Sequence, residues 1–337
     1  MAERPVVALL GGESLLGREI RDLVGDSGGT FELRLLAGDE EQSGILTRVG
    51  DEPSFVTALS AESLEDASVI ILAGSAKSSR QALDLAAAET GTAIIDLAGA
   101  AEELPDARLR APLAEPEDLP RDDSTRIHVI AHPAAIALAL FLRRLQSLYP
   151  IRRSVVQILA PASEHGAGGV EELQQQAISL LSFKNMPRAV FDAQLAFNLL
   201  ARYGGEAPTA LEDAELRIER HLATLLALPG EDEGAPMPSL RLVQAPVFHG
   251  YSFSAWVEFE ETPEIEILES ALVAASIEVR GPDVEVPTNV GQAGQQGIAV
   301  GGIAPDRNHA EACWFWMVAD NLRLPAENAV AVVRQIV

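Results

Sequence analysis

The chain reads as an α/β protein of two parts, a parallel sheet with crossover helices followed by an α+β half, and three observations predict this. A β-type run at Val6–Leu10 leads into a glycine-rich turn and then into helical spacing from Arg18 to Val24. Further strand-like runs follow up to residue 131 with helical spacing between two of them, the pattern of a parallel sheet. Beyond Pro133 several runs alternate in polarity, as antiparallel strands with one open face do.

In the first part, strands are expected at residues 32–37, 69–73, 93–97 and 127–131, with a helix over 79–89. In the second, strands are expected at 154–160, 240–247, 253–260, 298–303 and 313–318, and helices at 170–181, 210–228 and 265–275. Residues 229–238 are the most loop-like stretch, and no internal repeat is evident. A last helical pattern, 325–337, follows a turn at Asp320-Asn321.

At 337 residues, with 47% hydrophobic and 22% charged residues, the composition is that of an ordinary soluble protein able to bury a sizeable core. No run of about 18 or more apolar residues appears, and residues 1–5 enter a strand pattern and not a signal peptide, so a cytoplasmic chain is expected. Fifty acidic residues against 25 basic ones give a formal charge of −25, which repels nucleic acid and anionic membranes. The simplest reading of that charge is a solvated surface; a saline habitat or a basic partner are the others. The only cysteine, Cys313, excludes an internal disulfide and a cysteine-based metal cluster, and its place before Trp314-Phe315-Trp316 predicts a buried structural thiol. No metal site is expected.

The turn Gly11-Gly12-Glu13-Ser14-Leu15-Leu16-Gly17 is a Rossmann dinucleotide fingerprint with its second glycine replaced by Ser14. The first glycine permits the tight turn and the third lets helix pack on strand, while Ser14 puts a Cβ where a pyrophosphate would approach. The helix start still offers amide donors; the alternative is a turn that only joins strand to helix. After the second strand, Asp39, Glu40 and Glu41 would repel a 2′-phosphate, whereas one carboxylate about 20 residues past the turn suits a free ribose. If a dinucleotide binds, NAD is expected over NADP, with Asp39 on the ribose; the other reading is a solvated acidic tip.

Several ordered segments resemble the aspartate-semialdehyde dehydrogenase family. These are 131–138 (Ala-His-Pro-Ala-Ala-Ile-Ala-Leu), 154–160 (Ser-Val-Val-Gln-Ile-Leu-Ala), 164–173, 191–200, 242–252 and Asp320-Asn321-Leu322-Arg323 with Asn328-Ala329-Val330. The resemblance runs through nearly the whole chain. It implies an NAD(P)-binding Rossmann-like domain at 1–131 and 322–337, and a dimerisation domain of the semialdehyde dehydrogenase type at 132–321 that makes a homodimer. It also implies a cysteine thiolate, a proton-moving histidine, a nearby glutamine, and arginines for an anionic substrate, the logic of covalent catalysis.

Set against that pattern, the cysteine position is Ala135, which cannot attack a carbonyl. The glutamine corresponds to Gln157, the strand arginine to Gln244 and the histidine to Tyr251, a poor base at its reference pKa of about 10. The anion loop reads Asp96-Leu97-Ala98-Gly99-Ala100-Ala101-Glu102, with Glu102 in place of a cation. His132 is expected to bond locally, His249 to be exposed at a turn, and Arg217 to keep a positive charge on a helix. These substitutions lead to a non-catalytic or strongly impaired paralogue, a dinucleotide sensor or partner of an active homologue. The alternatives are NAD-linked hydride transfer without a thiol, with Tyr251 or His132 handling the proton, and a ligand-free structural dimer.

Overall fold

The computed structural model describes residues 4–26, 30–87, 91–116, 119, 124–229 and 234–337. Met1 to Glu3 of the expected N-terminal pattern, the helix end at Glu89 and residues 230–233 of the expected loop lie outside the described residues. Two compact units divide the chain, Met1–Ala131 with Pro325–Val337, and His132–Leu324.

In the first unit, β1 (Val6–Leu10) enters the glycine turn and α1 (Leu15–Asp26), and β2 (Glu32–Ala37) returns parallel to β1. Then come β3 (Leu46–Val49), β4 (Glu52–Ala58), the short α2 (Ala61–Leu64), β5 (Ala67–Leu72), α3 (Ala76–Ala86), β6 (Ala93–Asp96), β7 (Ala107–Arg110) and β8 (Ile127–Ile130). They form one sheet ordered β3-β4-β2-β1-β5-β6-β8-β7, parallel throughout except between β3 and β4. The order reverses direction on either side of β1, so the turn after β1 lies at the switch point where open α/β sheets bind ligands. Val7 to Leu10 have no exposed surface, as expected of a strand covered on both faces. The sequence reading omitted β3, β4 and β7. Their residues are half-exposed and mixed with Arg48, Pro53 and Arg108, so no apolar run marks them.

The second unit begins with α4 (Pro133–Gln146) and β9 (Ile151–Ala160), then a 3-10 turn at Ala162–His165, α5 (Gly166–Leu181), α6 (Leu211–Leu226), β10 (Ser239–Gln244) and β11 (Tyr251–Phe259). It continues through α7 (Ile265–Leu272), β12 (Ile277–Arg280), the short α8 (Asn289–Gln292), β13 (Ile298–Pro305), β14 (Ala312–Ala319) and into α9 (Arg323–Ile336). The sheet order is β10-β9-β11-β14-β13-β12. An antiparallel sheet was expected; the sheet is mixed, because β10 pairs parallel with β9 and β12 parallel with β13. The reason is the connections: α5 and α6 carry the chain back over the sheet before β10, and such a crossover delivers a parallel strand.

One face of this sheet is the core. Val156, Ile158, Phe253, Ala255, Phe315 and Met317 are buried there, and Phe141 of α4 meets Phe315 edge-on at 5.0 Å between ring centres. The opposite face carries Val155, Gln157, Trp256, Trp314 and Trp316, and Val155 and Trp314 are exposed. The tail belongs to the first unit: Asn328 Oδ1 accepts the Leu113 N–H at 3.0 Å, and Arg110 donates to Gln335 Oε1 at 2.7 Å.

Candidate functional site

Two places bring the singled-out residues together. In the first unit, Gly11 has φ +80°, and a Cβ there would lie 2.4 Å from Gly74 N; a Cβ on Gly17 would lie 2.0 Å from Gly11 O. Both positions therefore need glycine. Ser14 has a structural use in this turn. Its hydroxyl donates to Ala73 O at 2.9 Å and accepts the Gly17 N–H at 2.9 Å, which ties the start of α1 to the end of β5. Glu13 pairs with Arg21, which also donates to Gly12 O and Thr47 Oγ1, both at 3.1 Å. Leu15 and Leu16 open α1 and are half-buried.

Asp39 was expected to read a ribose from the loop after β2. Its carboxylate takes the Ser75 hydroxyl and lies 3.2 Å from Lys77 Nζ, while the carboxylate that reaches the glycine turn is that of Glu41. A residue's place on a tight loop decides which way it points, and here two positions separate the acid that turns inward from the one that pairs with α3. In the other loop, Asp96 closes the backbone on itself by accepting the N–H groups of Ala98 at 2.9 Å and Ala101 at 2.6 Å. Glu102 is half-buried just beyond it.

In the second unit, His132 is the N-cap of α4, and Pro133 takes the first helical position, where its missing N–H removes no helix bond. The imidazole Nδ1 accepts the Ala134 N–H at 3.2 Å, which leaves Nε2 to donate to Glu164 Oε1 at 2.9 Å. Glu164 stands in the 3-10 turn, and its other oxygen, Oε2, accepts the Tyr251 hydroxyl at 2.7 Å. Tyr251 and His132 meet edge-on, with the phenol oxygen 3.5 Å from Nε2. Behind them the His132 N–H donates to His221 Nδ1 on α6 at 2.9 Å. Ala135 sits in the first turn of the same helix with no exposed surface.

The electrostatics make this a held carboxylate and a held proton. Burial would raise the Glu164 carboxyl, but the imidazole of His132, the Tyr251 hydrogen bond and the charge of Arg217 together outweigh burial and hold the group at about 2. Burial and then the Glu164 charge push the Tyr251 phenol well above its ordinary range. Tyr251 therefore keeps its proton and acts as a donor, so it is no replacement base at neutral pH.

Asn321 fixes both partners from behind. Its side chain accepts the Gly250 N–H at 2.8 Å, next to Tyr251, and bonds the Ser163 hydroxyl, next to Glu164. A second chain of bonds runs beside the cluster: His165 Nε2 lies 2.8 Å from the Tyr203 hydroxyl, which donates to Gln244 Oε1 at 2.7 Å, and Gln244 Nε2 donates to Ala160 O at 2.9 Å. Gln244 is fully buried, so the residue at the arginine position holds backbone and offers nothing to a substrate. Burial lowers the His165 imidazole, against the opposing charges of Glu164 and Glu172.

Two expectations are corrected. Gln157 is exposed on the open face of β9; a strand presents alternate residues to each face, so the inner residue at the end of this strand is Ala160. His249 is half-buried rather than exposed, and its carbonyl accepts from Asn289 Nδ2 at 3.3 Å. Cys313 is buried on the inner face of β14 opposite Val257, six strand residues or about 20 Å from Tyr251, and burial lifts its thiol to about 11. Glu164, His165, Tyr203 and His221 were not singled out as site residues. The available signal was the pair Glu164-His165, standing where the resembling family motif has small residues.

A switch-point glycine turn in a parallel sheet, followed by a mixed-sheet unit, defines a two-domain protein of the NAD-binding Rossmann class with an α+β second domain. Residues 142–324 match the family described as semialdehyde dehydrogenase, dimerisation domain. The chain is 29% identical to an aspartate-semialdehyde dehydrogenase of Aquifex aeolicus, over 98% of this chain and 97% of that protein. It is 31% identical to a USG-1 protein homolog of Pseudomonas aeruginosa, over 84% of this chain and 81% of that one. A solved structure of a probable aspartate-semialdehyde dehydrogenase from Pseudomonas aeruginosa superposes with a TM-score of 0.83 at 27% identity, covering 99% and 98% of the two chains. The chain belongs to the aspartate-semialdehyde dehydrogenase family. Among the described residues no helix is long and apolar enough to cross a membrane.

Proposed function

We propose that this chain is a member of the family that does not oxidise a semialdehyde through a thiol, being non-catalytic or strongly impaired, and that it keeps the scaffold and a dinucleotide site. The observation that carries this is the closed cluster at the start of α4. Ala135 offers no nucleophile, and the acid, base and hydroxyl beside it, Glu164, His132 and Tyr251, satisfy one another. The glycine turn, which keeps Gly12 and Gly17 of the fingerprint, supports the dinucleotide site, and the acidic loop after β2 favours NAD over NADP. The exposed aromatic face of the second sheet, with Trp256, Trp314 and Val155, suits a second copy of the chain as partner.

The test is phosphate-dependent oxidation of aspartate semialdehyde with NAD and with NADP. The expected kcat/KM lies at least about a thousandfold below the ordinary enzyme range of roughly 10⁴ to 10⁸ M⁻¹s⁻¹. A value inside that range would overturn the reading. Calorimetric titration with NAD reports the dinucleotide site separately, and a dimeric mass at micromolar concentration reports the partner.

A further inference from the structure

The Glu41 carboxylate bridges two loops. Its Oε1 accepts the backbone N–H of Glu13 in the glycine turn at 3.1 Å, and its Oε2 accepts the backbone N–H of Gly38, the first residue beyond β2, at 3.1 Å. In a turn of this kind these two segments flank the adenosine ribose of a bound dinucleotide. A pair of convergent backbone N–H groups is a donor set for an anion, and here the chain supplies the anion from within. The neighbouring charges are engaged in the same way: Arg18 and Arg21 pair with Glu13, and Lys77 with Asp39.

We propose that Glu41 is the specificity-determining residue of the nucleotide site, admitting a ribose with a free 2′-hydroxyl and refusing one that carries a 2′-phosphate. A carboxylate has about four lone-pair sites, so two remain for ribose hydroxyls after the two amides are taken. A 2′-phosphate would have to displace Glu41 from both amides or sit against its negative charge, and each course opposes binding. The proposal rests on the dinucleotide reading above and deepens it, assigning to Glu41 the role that the sequence suggested for Asp39.

The experiment titrates adenosine 5′-monophosphate and adenosine 2′,5′-bisphosphate, which probe this end alone, into the wild-type chain, Glu41→Ala and Glu41→Gln, with NAD as a separate arm. The wild type is expected to bind the monophosphate at least about tenfold more tightly than the bisphosphate, and Glu41→Ala to shift that ratio by about tenfold or more towards the bisphosphate. Glu41→Gln, which keeps the shape and loses the charge, falls between them. An unchanged ratio in both variants overturns the proposal even if NAD binds, as does a wild type that prefers the bisphosphate. If the wild type takes neither probe nor NAD, the dinucleotide reading fails. A gain of bisphosphate binding in Glu41→Ala would then still support Glu41 as the built-in anion, and no gain overturns that as well. Melting temperatures within a few degrees of the wild type establish that the variants are folded.

Discussion

The glycine turn of the first unit and the His132–Glu164–Tyr251 cluster of the second are made of different materials. The turn is a backbone device: its shape comes from Gly11 and Gly17, and its donors are amides that no substitution except proline removes. Replacing its second glycine with Ser14 adds two hydrogen bonds and leaves the strand–turn–helix path in place. The cluster is a side-chain device, and there each substitution changes the chemistry. A residue without a nucleophile at 135, a glutamine at 244 and a tyrosine at 251 leave a tightly bonded polar core. A binding site built of backbone depends on few side chains, whereas a reaction site built of side chains depends on the identity of each one.

The comparison can be broken by substitution. The largest effect is expected from Gly17→Ala, whose Cβ would lie 2.0 Å from Gly11 O. Denaturant unfolding should show a loss of about 3 to 5 kcal/mol, and a loss below about 1 kcal/mol would show that the turn is not set by its glycines. Next is Glu164→Gln, which leaves His132 and Tyr251 without a carboxylate. Because the folded pKa of Glu164 is held at about 2, below its usual 4.5, its contribution is present above pH 4.5 and is lost as pH falls from 4.5 through about 2. The variant should be less stable at pH 7 by about 3 kcal/mol and should lose part of the acid-side slope of the wild type. Parallel stability curves for the two proteins below pH 4.5 would rule out this account. The smallest effect is expected from Ser14→Gly, which restores the glycine pattern and removes two hydrogen bonds. A loss of about 1 kcal/mol with NAD affinity kept or improved would place the binding capacity in the backbone, and abolished NAD binding would place it in the serine.

What the sequence made legible was local. The β1–turn–α1 unit announces itself because an apolar run, a glycine turn and helical spacing lie side by side within 21 residues, Val6 to Asp26. The strands β3, β4 and β7 were hidden because half-exposed strands at or next to a sheet edge need no apolar run. The cluster was hidden for another reason, since Glu164 reaches His132 across 32 positions and Tyr251 across 87, and no periodicity reports such pairings. Gln157 shows the hazard of matching by residue type: a shift of three positions along a strand turns a presumed site residue onto the opposite face.

The three tryptophans of the chain, Trp256, Trp314 and Trp316, all stand on the open face of the second sheet. Intrinsic tryptophan emission from this protein therefore arises from a single surface. Covering that surface should shift the emission to shorter wavelength without any attached label. Unfolding confined to the first unit, which holds no tryptophan, should leave the emission unchanged, so a fluorescence melt and a circular-dichroism melt need not coincide.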